Sequence, residues 1–555
     1  MNNTCSLNVV KGSKMANNHP NFSKQSIFSF RNLVYIYISI PTFLFFFWLK
    51  PVLTVCFACA FLAGLFFVLK DNHPDEHQKD SYLFNKTNLF LIFSISLVWC
   101  YLAGQGGFFY QSSDHYIRNG IFRDLILFKW PVCYEKTDAM LTYYVGHWLF
   151  PALFGKIVFV ITNSISTAWL VAKIALLLWS TFGIMLVFIL LCKIFSLSSN
   201  KAIVFCCLFF IFFSGLDILA IYLRNGRIPM HLEWWAENMQ YSSFTTCLFW
   251  IYNQCICAWL ATLLFFYEEK VKNYAFIGLC ILITSPIPLV GLFPFFVVSG
   301  VLQFAKTEKG LRHKFFLQSI LSPQNIIACL VILPIVGLYY FNNAAVANTP
   351  AIASLNTLNK EAVASTPEIA TLNTLNNEAV ANTPAVPSSN SFKTFFPLYN
   401  IYTIILFYLF EFFLYVLVIL KQNKKSFYIW VLTFMLLICP FIHIGKLNDF
   451  SMRASIPSLV LLMVLVFKTL LQEHKNQTLV SYLIIVIFAF GCLTPTMEYL
   501  RAFKTVKQEK TIFLECLEDD YDSLGDVFLS NFMSHEYENS FFYKYLCRHN
   551  SKNRL

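Results

Sequence analysis

The feature that most constrains the fold of this chain is a series of apolar blocks about as long as a bilayer is thick. Blocks of roughly 20 residues recur along the sequence, and a helix of that length crosses about 30 Å of hydrocarbon. Inside lipid every backbone N–H and C=O must be paired within the protein, so each block is predicted to be a helix. Only 13% of the residues are charged, which excludes an ordinary soluble domain as the bulk of the chain. The sequence therefore predicts an all-α, polytopic membrane helix bundle.

Most of the apolar blocks predict one span each. The predicted single spans are 33–49, 52–69, 87–104, 165–193, 202–222, 247–267, 324–341, 398–420, 427–445, 455–471 and 478–496. The block 275–304 is ambiguous, because Pro286 and Pro288 at its middle would break a helix. It forms either one kinked span or two short ones.

The distribution of lysine and arginine favours two short spans. The first 30 residues are polar and lack a cleavable signal pattern, so the N-terminus is predicted to be cytosolic. The basic loops 70–86, 193–201 and 268–274 then lie inside, as the positive-inside rule requires. The basic cluster 306–314 joins them only if 275–304 crosses twice. This topology has about 12–13 spans and an external C-terminus.

The same topology divides the chain into four parts. The predicted parts are a cytosolic segment 1–32, a transmembrane domain 33–496, an external insertion 342–397 and an external tail 497–555. The outer loops of the transmembrane domain are 105–164, 223–246 and 446–454. The insertion repeats a polar, proline-bearing unit with a period of 17 residues, at 345–350, 362–367 and 379–384. Three such units are too few and too small for a solenoid, so we expect a low-complexity segment.

Neither the net charge nor the cysteines indicate a functional site. The net charge is +11, but the basic residues lie between apolar blocks, as topology determinants do, so no nucleic-acid partner is predicted. The 17 cysteines lie mostly inside apolar blocks. We interpret them as small buried residues rather than metal ligands or redox pairs.

The first outer loop combines acidic, basic and aromatic residues. Asp114, His115 and Arg118 come soon after a span, and an amphipathic turn of helix follows at 121–126. The segment 141–157 is aromatic and amphipathic, which is typical of a helix lying in the membrane interface. The loop therefore predicts a polar site with short interfacial helices at the outer mouth of the bundle.

The other two outer loops carry basic residues on the face where they are usually scarce. The second loop has Arg224, Arg227, His231 and Glu233, and the third has Lys446, Asp449 and Arg453. Asp449 and Arg453 could be a simple i, i+4 ion pair, and tryptophans at span ends are usually interface belts. The convergence of three polar loops on one face favours a site, and an anionic ligand would account for its cations.

These loops resemble those of the GT-C superfamily of membrane glycosyltransferases, which have an acidic residue early in the first outer loop and short interfacial helices behind it. Between about residues 87 and 471, the chain is also similar to a family of bacterial multispanning membrane proteins. The strings that carry this likeness are YQSSDHY (110–116), HLEWW (231–235), QYSS (240–243) and NDFSMRASIP (448–457).

The resemblance implies transfer of a sugar from a polyprenyl-phosphate-type donor to a glycan, lipid or protein acceptor outside the plasma (cytoplasmic) membrane. It implies that Asp114 is the general base, with Glu233 as the second candidate acid. Arg224, Arg227, Lys446 and Arg453 are the candidates to hold the donor phosphate, and His115, Arg118, His231 and Asp449 complete the predicted substrate-binding set. No second acid follows Asp114 closely, so no metal is predicted. No cofactor is predicted either.

Two other functions remain open at this point. A transporter or flippase of a lipid-linked glycan would use charged residues within the bilayer, for which Lys173, Asp217 and Glu411 are the candidates. A non-catalytic scaffold for envelope assembly would act through the 17-residue repeats and the tail.

Overall fold

A computed structural model describes residues 29–71, 80, 84–226, 232–236, 239–344, 401–444, 448–474, 476–509, 523–526 and 528–549. These residues form a helix bundle, which confirms the predicted all-α polytopic class. Within the described ranges, ten helices are long and apolar enough to cross a membrane, and three shorter helices are also apolar. The chain is therefore a multi-pass membrane protein. Ten of the predicted 12–13 spans coincide with these long helices, and the predicted spans 87–104 and 427–445 coincide with two of the shorter ones, Lys86–Leu102 and Phe427–Phe441.

The helices are numbered here in chain order. The first nine are α1 (Phe30–Phe45), α2 (Pro51–Lys70), α3 (Lys86–Leu102), α4 (Asp114–Leu127), α5 (Gly146–Thr162), α6 (Ile165–Phe195), α7 (Asn200–Phe212), α8 (Asp217–Asn225) and α9 (Phe244–Glu268). The next six are α10 (Tyr274–Cys280), α11 (Pro286–Lys306), α12 (Arg312–Phe315), α13 (Pro323–Ile327), α14 (Leu333–Phe341) and α15 (Ile401–Tyr408). The last six are α16 (Leu414–Asn423), α17 (Phe427–Ile438), α18 (Asp449–Ala454), α19 (Ile456–His474), α20 (Leu479–Gly491) and α21 (Leu493–Glu509).

Single turns and three short strands complete the fold. The π-helical turns are Phe316–Ile320, Ala328–Ile332, Leu409–Phe413 and Phe542–Leu546. The 3₁₀ turns are Phe46–Trp48, Gln105–Gly107, Leu232–Trp234, Val271–Asn273, Lys309–Leu311, Cys439–Phe441, Leu524–Asp526 and Tyr537–Asn539. The strands are β1 (Cys133–Tyr134), β2 (Ala139–Leu141) and β3 (Met533–His535).

Burial orders the helices from the centre of the bundle outward. The most apolar window of α9 is 94% buried, and that of the span formed by α18 and α19 is 89% buried. The corresponding window of α2 is only 17% buried, although it is the most apolar of all. A helix that is apolar all round is stable in both places, against protein at the centre and against lipid at the edge.

Ion pairs define one end of the bundle, which we call the lysine end. Lys193 Nζ lies 2.5 Å from Asp80 Oδ1, and Lys272 Nζ lies 2.6 Å from Asp71 Oδ1. Arg31, at the start of α1, is paired with Glu268 at the end of α9. The opposite end, which includes residues 103–146, is called the loop end.

The ambiguous block 275–304 folds as a hairpin with its two ends together. α10 runs in from the lysine end, residues 281–284 form a turn, and α11 runs back. Gln303 Nε2 donates a hydrogen bond of 2.9 Å to the backbone oxygen of Glu269, so the end of α11 returns to the level at which α9 ends. This is the arrangement that two crossings require, although α10 has only 7 residues.

The predicted boundary of the C-terminal tail at residue 497 is wrong in one respect. α20 and α21 form one span-length helix, Leu479–Gln508, so residue 497 lies within a helix. The tail also does not stand apart from the bundle. β3 pairs antiparallel with β2 of the first loop, and Arg548 N donates to Trp48 O at 2.9 Å. The repeat-bearing insertion falls outside the described residues, apart from 342–344.

Candidate functional site

A glycine-rich turn positions the start of α4. Gly104 has a φ of +76°, and a Cβ at this position would lie 2.2 Å from the backbone oxygen of Tyr110, so only glycine fits. Gln111 Nε2 donates to Gly104 O at 2.9 Å, and Asn119 Nδ2 donates to Gln111 Oε1 at 2.8 Å. The loop is thereby tied back onto α3 and onto α4 itself, which fixes where α4 begins.

Asp114 is the first residue of α4 and remains accessible. Its side chain is 49% exposed, and Oδ2 accepts a hydrogen bond of 2.9 Å from Nη2 of Arg118, one turn later. A carboxylate at this position is also stabilised by the N-terminal end of the helix dipole. Arg118 is only 4% exposed, and within the described residues its buried Nη1 has no hydrogen-bond partner. The pair therefore combines an accessible carboxylate with a buried guanidinium that has a donor to spare.

His115 points into the protein rather than to solvent. Its Nδ1 lies 3.0 Å from Ser112 Oγ, and its ring stacks on Tyr252 of α9 with centroids 5.4 Å apart. Burial, reinforced by the nearby Arg118, lowers the pKa of His115 to about 3. The imidazole is therefore neutral at physiological pH. Its buried Nε2 has no partner among the described residues.

The third loop repeats the motif of the first. Asp449 begins α18, and its Oδ1 accepts a hydrogen bond of 3.0 Å from Nη2 of Arg453, one turn later. The Asp449 side chain is 44% exposed, whereas Arg453 is 8% exposed and its Nε has no partner in the described part of the chain. The i, i+4 ion pair expected as the simple explanation is thus present.

The first and third loops meet around Arg453. Its guanidinium carbon lies 6.0 Å from the centre of the Tyr144 ring, which precedes α5. Arg453 is also close enough to Asp114 to interact with it electrostatically, as it does with Asp449. Asp114 therefore pairs with Arg118 and has a more distant positive neighbour in Arg453, from a part of the sequence more than 300 residues away.

The second loop packs beside this cluster and has a different character. Glu233 is 5% exposed, and its carboxylate accepts hydrogen bonds from Ser243 N at 2.9 Å and Gln240 Nε2 at 3.1 Å. Burial, with the charge of Asp217 next in importance, raises the pKa of Glu233 to about 8. Glu233 therefore holds the start of α9. A link to the third loop runs through Ser451 Oγ, which donates to Gln240 O at 3.4 Å.

The remaining predicted residues divide into two groups. Arg224 donates a hydrogen bond to the backbone oxygen of Trp235, which ties the end of α8 to the second loop. Arg227, His231 and Lys446 lie outside the described residues. Their predicted roles remain predictions.

Two features of the loop end were not predicted from the sequence. Glu498 and Arg501 of α21 form a buried ion pair, and Glu498 Oε2 accepts a hydrogen bond of 3.3 Å from Trp250 Nε1. Both residues fall in the predicted tail, which begins at residue 497, so no helix is predicted to bring them together. Their i, i+3 spacing is nevertheless visible in the sequence. The second feature is Tyr252 of α9, which lies under His115 and accepts a hydrogen bond of 2.7 Å from Trp148 Nε1.

The chemistry available around Asp114 follows from these contacts. A half-exposed carboxylate can accept a proton from a hydroxyl group, and guanidinium groups with unpaired N–H donors can bind phosphate oxygens. Within the described ranges, no group of three or more His, Cys, Asp or Glu side chains could hold a metal ion.

Comparisons with known proteins give no further guide to this site. No protein-family model, curated protein or solved structure matches the chain.

Proposed function

We propose that the protein is a membrane glycosyltransferase that moves a sugar from a polyprenyl-phosphate-type lipid donor to a glycan, lipid or protein acceptor. In this proposal the reaction takes place at the loop end, on the outer face of the plasma (cytoplasmic) membrane. The resemblance of the loops to those of GT-C enzymes suggests this class. The contacts of Asp114 suggest which residues would act in the reaction.

The observation that carries the proposal is an accessible carboxylate that pairs with one buried guanidinium group and interacts electrostatically with a second. Asp114 is half exposed, and Arg118 and Arg453 each have a buried N–H without a partner among the described residues. An unsatisfied buried donor is costly, and more so on a charged group. In this proposal the donor phosphate accepts hydrogen bonds from these arginines and lies next to the carboxylate.

The proposed reaction needs only the donor, the acceptor and the side chains of Asp114, Arg118 and Arg453. The acceptor oxygen attacks the anomeric carbon, and Asp114 takes the hydroxyl proton as that bond forms. The bond between the anomeric carbon and the phosphate oxygen breaks, and its electron pair stays on the phosphate. Arg118 and Arg453 stabilise the charge that grows there. Attack opposite the leaving group inverts the configuration at the sugar carbon.

One observation favours a second candidate function, the transporter or flippase of a lipid-linked glycan. Asp217 and Glu411 lie side by side within the spans, and each accepts a hydrogen bond of 3.2 Å from the same Trp235 Nε1. The chain is unwound just before Asp217, and Glu411 lies in a π-helical turn. Broken helices with charged residues are typical of transporter binding sites.

The experiment that separates the two functions uses purified protein in detergent micelles, which have no second compartment. The donors are synthetic polyprenyl phosphates carrying a radioactive hexose or pentose, and the acceptor is a cell-envelope extract. The proposal expects radioactivity to pass into a new product without any gradient. Absence of product with every donor, together with movement of an intact fluorescent lipid-linked glycan across sealed vesicles, would establish the transporter instead.

A further inference from the structure

A second site that is suited to an anion lies at the far end of α4 from Asp114. A cavity of about 620 Å³ opens there, lined by Phe43, Leu44, Phe47, Lys129, Trp130, Leu153, Lys156 and Arg548. Three of these side chains are cationic, and none is acidic. Because α4 has 14 residues at about 1.5 Å each, the cavity lies roughly 20 Å from Asp114.

The cations come from separate parts of the chain and are held in place. Lys156 Nζ donates to Ile126 O at 3.2 Å and lies 5.3 Å from the centre of the Trp130 ring. The backbone of Arg548 is fixed by its hydrogen bond to Trp48 O at 2.9 Å. Within the described residues, no carboxylate forms an ion pair with Lys129, Lys156 or Arg548. Lys129 and Arg548 are therefore cationic without internal neutralisation, whereas burial lowers the pKa of Lys156 to about 7 and its amine also donates to Phe128 O.

The apolar side of the cavity lies at the loop end of a helix long and apolar enough to span a membrane. Phe43 and Phe47 lie in the last turns of the first spanning helix, Phe30–Trp48, at the loop end. The Phe47 side chain is 44% exposed, as is Phe154 on the neighbouring face of α5. Tryptophan and basic residues at the end of a span mark the boundary between hydrocarbon and head groups. The cavity thus presents cations at that boundary and apolar side chains below it.

We propose that this cavity binds an anionic membrane lipid, with the phosphate between Lys129, Lys156 and Arg548 and a hydrocarbon chain against Phe43, Phe47 and Leu153. The charge pattern commits the site to this occupant, since a free anion would leave the apolar side of the cavity uncovered. This site is separate from the proposed donor site. Its bound lipid pins the tail, through Arg548, to the first loop.

The test uses full-length protein in phosphatidylcholine nanodiscs that contain a few mole per cent of phosphatidylglycerol with a photoactivatable diazirine in its acyl chain. After illumination, the labelled peptides are mapped by mass spectrometry. Labelling is expected to concentrate on the peptides that contain Phe43, Phe47 and Leu153. A matched phosphatidylcholine probe is expected to label them at least fivefold less.

Variants then test the role of the cations. Lys129→Gln/Lys156→Gln/Arg548→Gln is expected to lower labelling by phosphatidylglycerol by about fivefold for each cation removed. Because Lys156 also holds the loop, Lys129→Gln/Arg548→Gln is the second variant, which changes only the less constrained cations. The control, Lys504→Gln/Lys507→Gln, removes exposed charges from α21 and should leave labelling unchanged.

Three results would overturn the proposal. They are equal labelling by the two probes, unchanged labelling in both cavity variants, and loss of labelling when inorganic phosphate is added at millimolar concentration. The last result would mean that the cavity binds free anions. None of these measurements requires sugar transfer, so their outcomes do not depend on the proposed function.

Discussion

Asp114 and Asp217 each begin a helix, yet the two aspartates have opposite surroundings. Asp114 is half exposed, pairs with Arg118 and interacts electrostatically with Arg453, and each of these arginines has a buried N–H without a partner among the described residues. Asp217 is fully buried beside Glu411, and the two acids share one indole N–H. The first arrangement leaves a carboxylate and spare donors for a ligand. Around Asp217 the hydrogen-bond donor is already used within the protein. Two acids lie together there, away from water, where a charge is costly.

The difference shows that burial alone does not identify the functional acid. Asp217 also accepts a hydrogen bond of 2.8 Å from Thr494 Oγ1, so α20 and α21, α8 and the second loop are all joined through it. Such a cluster specifies how the helices pack. Among the described residues, Asp114 pairs only with Arg118 of its own helix and interacts electrostatically with Arg453 of the third loop, and we therefore propose it for the chemistry.

The largest effect is expected from Asp114→Asn. The amide cannot take up the acceptor proton, so turnover should fall by about 10²–10⁴-fold, the usual contribution of a general base. Asp449→Asn is the matched variant, because Asp449 also begins a helix, is also half exposed and also pairs with an arginine one turn later. It should affect KM more than turnover. Equal losses of turnover in both variants would remove the distinction between the two acids.

A smaller and pH-dependent effect is expected from Glu233→Gln. Because the pKa of Glu233 is raised to about 8, the folded protein keeps this proton above the unfolded value of 4.5. Stability from this group is complete below pH 4.5 and is lost as the pH rises towards 8. The apparent melting temperature of wild type in detergent should therefore fall between pH 5 and pH 8. The variant should lose less over that interval, and parallel curves would contradict the assignment.

A local effect is expected from Asp124→Ala in α4. Asp124 Oδ2 accepts hydrogen bonds from Tyr134 OH at 2.8 Å, Leu524 N at 3.1 Å and Ser523 Oγ at 3.3 Å. Removing the carboxylate leaves these donors unpaired, at a cost of about 1–3 kcal/mol for each that stays buried. Limited proteolysis should then cut the segment 523–549 faster than in wild type, with Lys504→Ala as the control. Unchanged cleavage would show that the tail is held by its other contacts, the pairing of β3 and the hydrogen bond from Arg548 N to Trp48 O.

The smallest effect is expected from Glu411→Gln, which changes one acid of the buried pair Asp217 and Glu411. The amide preserves shape and can still accept a hydrogen bond from Trp235 Nε1, so sugar transfer should stay within about twofold of wild type. Asp217→Asn is the companion variant. Loss of sugar transfer in both, with normal melting temperatures, would move the proposed chemistry from Asp114 to the buried pair.

The sequence predicts the bundle well because the membrane imposes a simple rule on it. Apolar blocks of span length and the lysines between them indicate the helices and place the three polar loops at one end. Charge favours two short segments at 275–304, where the prolines leave two possibilities, and the structure has a hairpin there in which only Pro286–Lys306 is of span length. The boundary at 497 is wrong because α21 continues as an amphipathic helix, which an average of hydropathy does not detect.

The candidate site is less accessible to prediction, since it depends on contacts between distant segments. The i, i+4 pairs Asp114–Arg118 and Asp449–Arg453 are visible locally, but their proximity is not. The sequence also does not distinguish Glu233, which accepts hydrogen bonds at the start of α9, from an acid that faces solvent. Pairing of β3 with the first loop joins residues almost 400 positions apart and leaves no local pattern.

The central claim is that Asp114 acts in the chemical step on a donor held by Arg118 and Arg453. The most direct measurement is the equilibrium binding of a polyprenyl-phosphate sugar analogue that cannot be transferred, to wild type, Asp114→Asn and Arg118→Gln/Arg453→Gln. We predict that Asp114→Asn binds within about threefold of wild type, and that the double variant loses at least about tenfold, as expected for charge-assisted hydrogen bonds. Equal binding by all three proteins, or loss of binding in Asp114→Asn alone, would contradict the account.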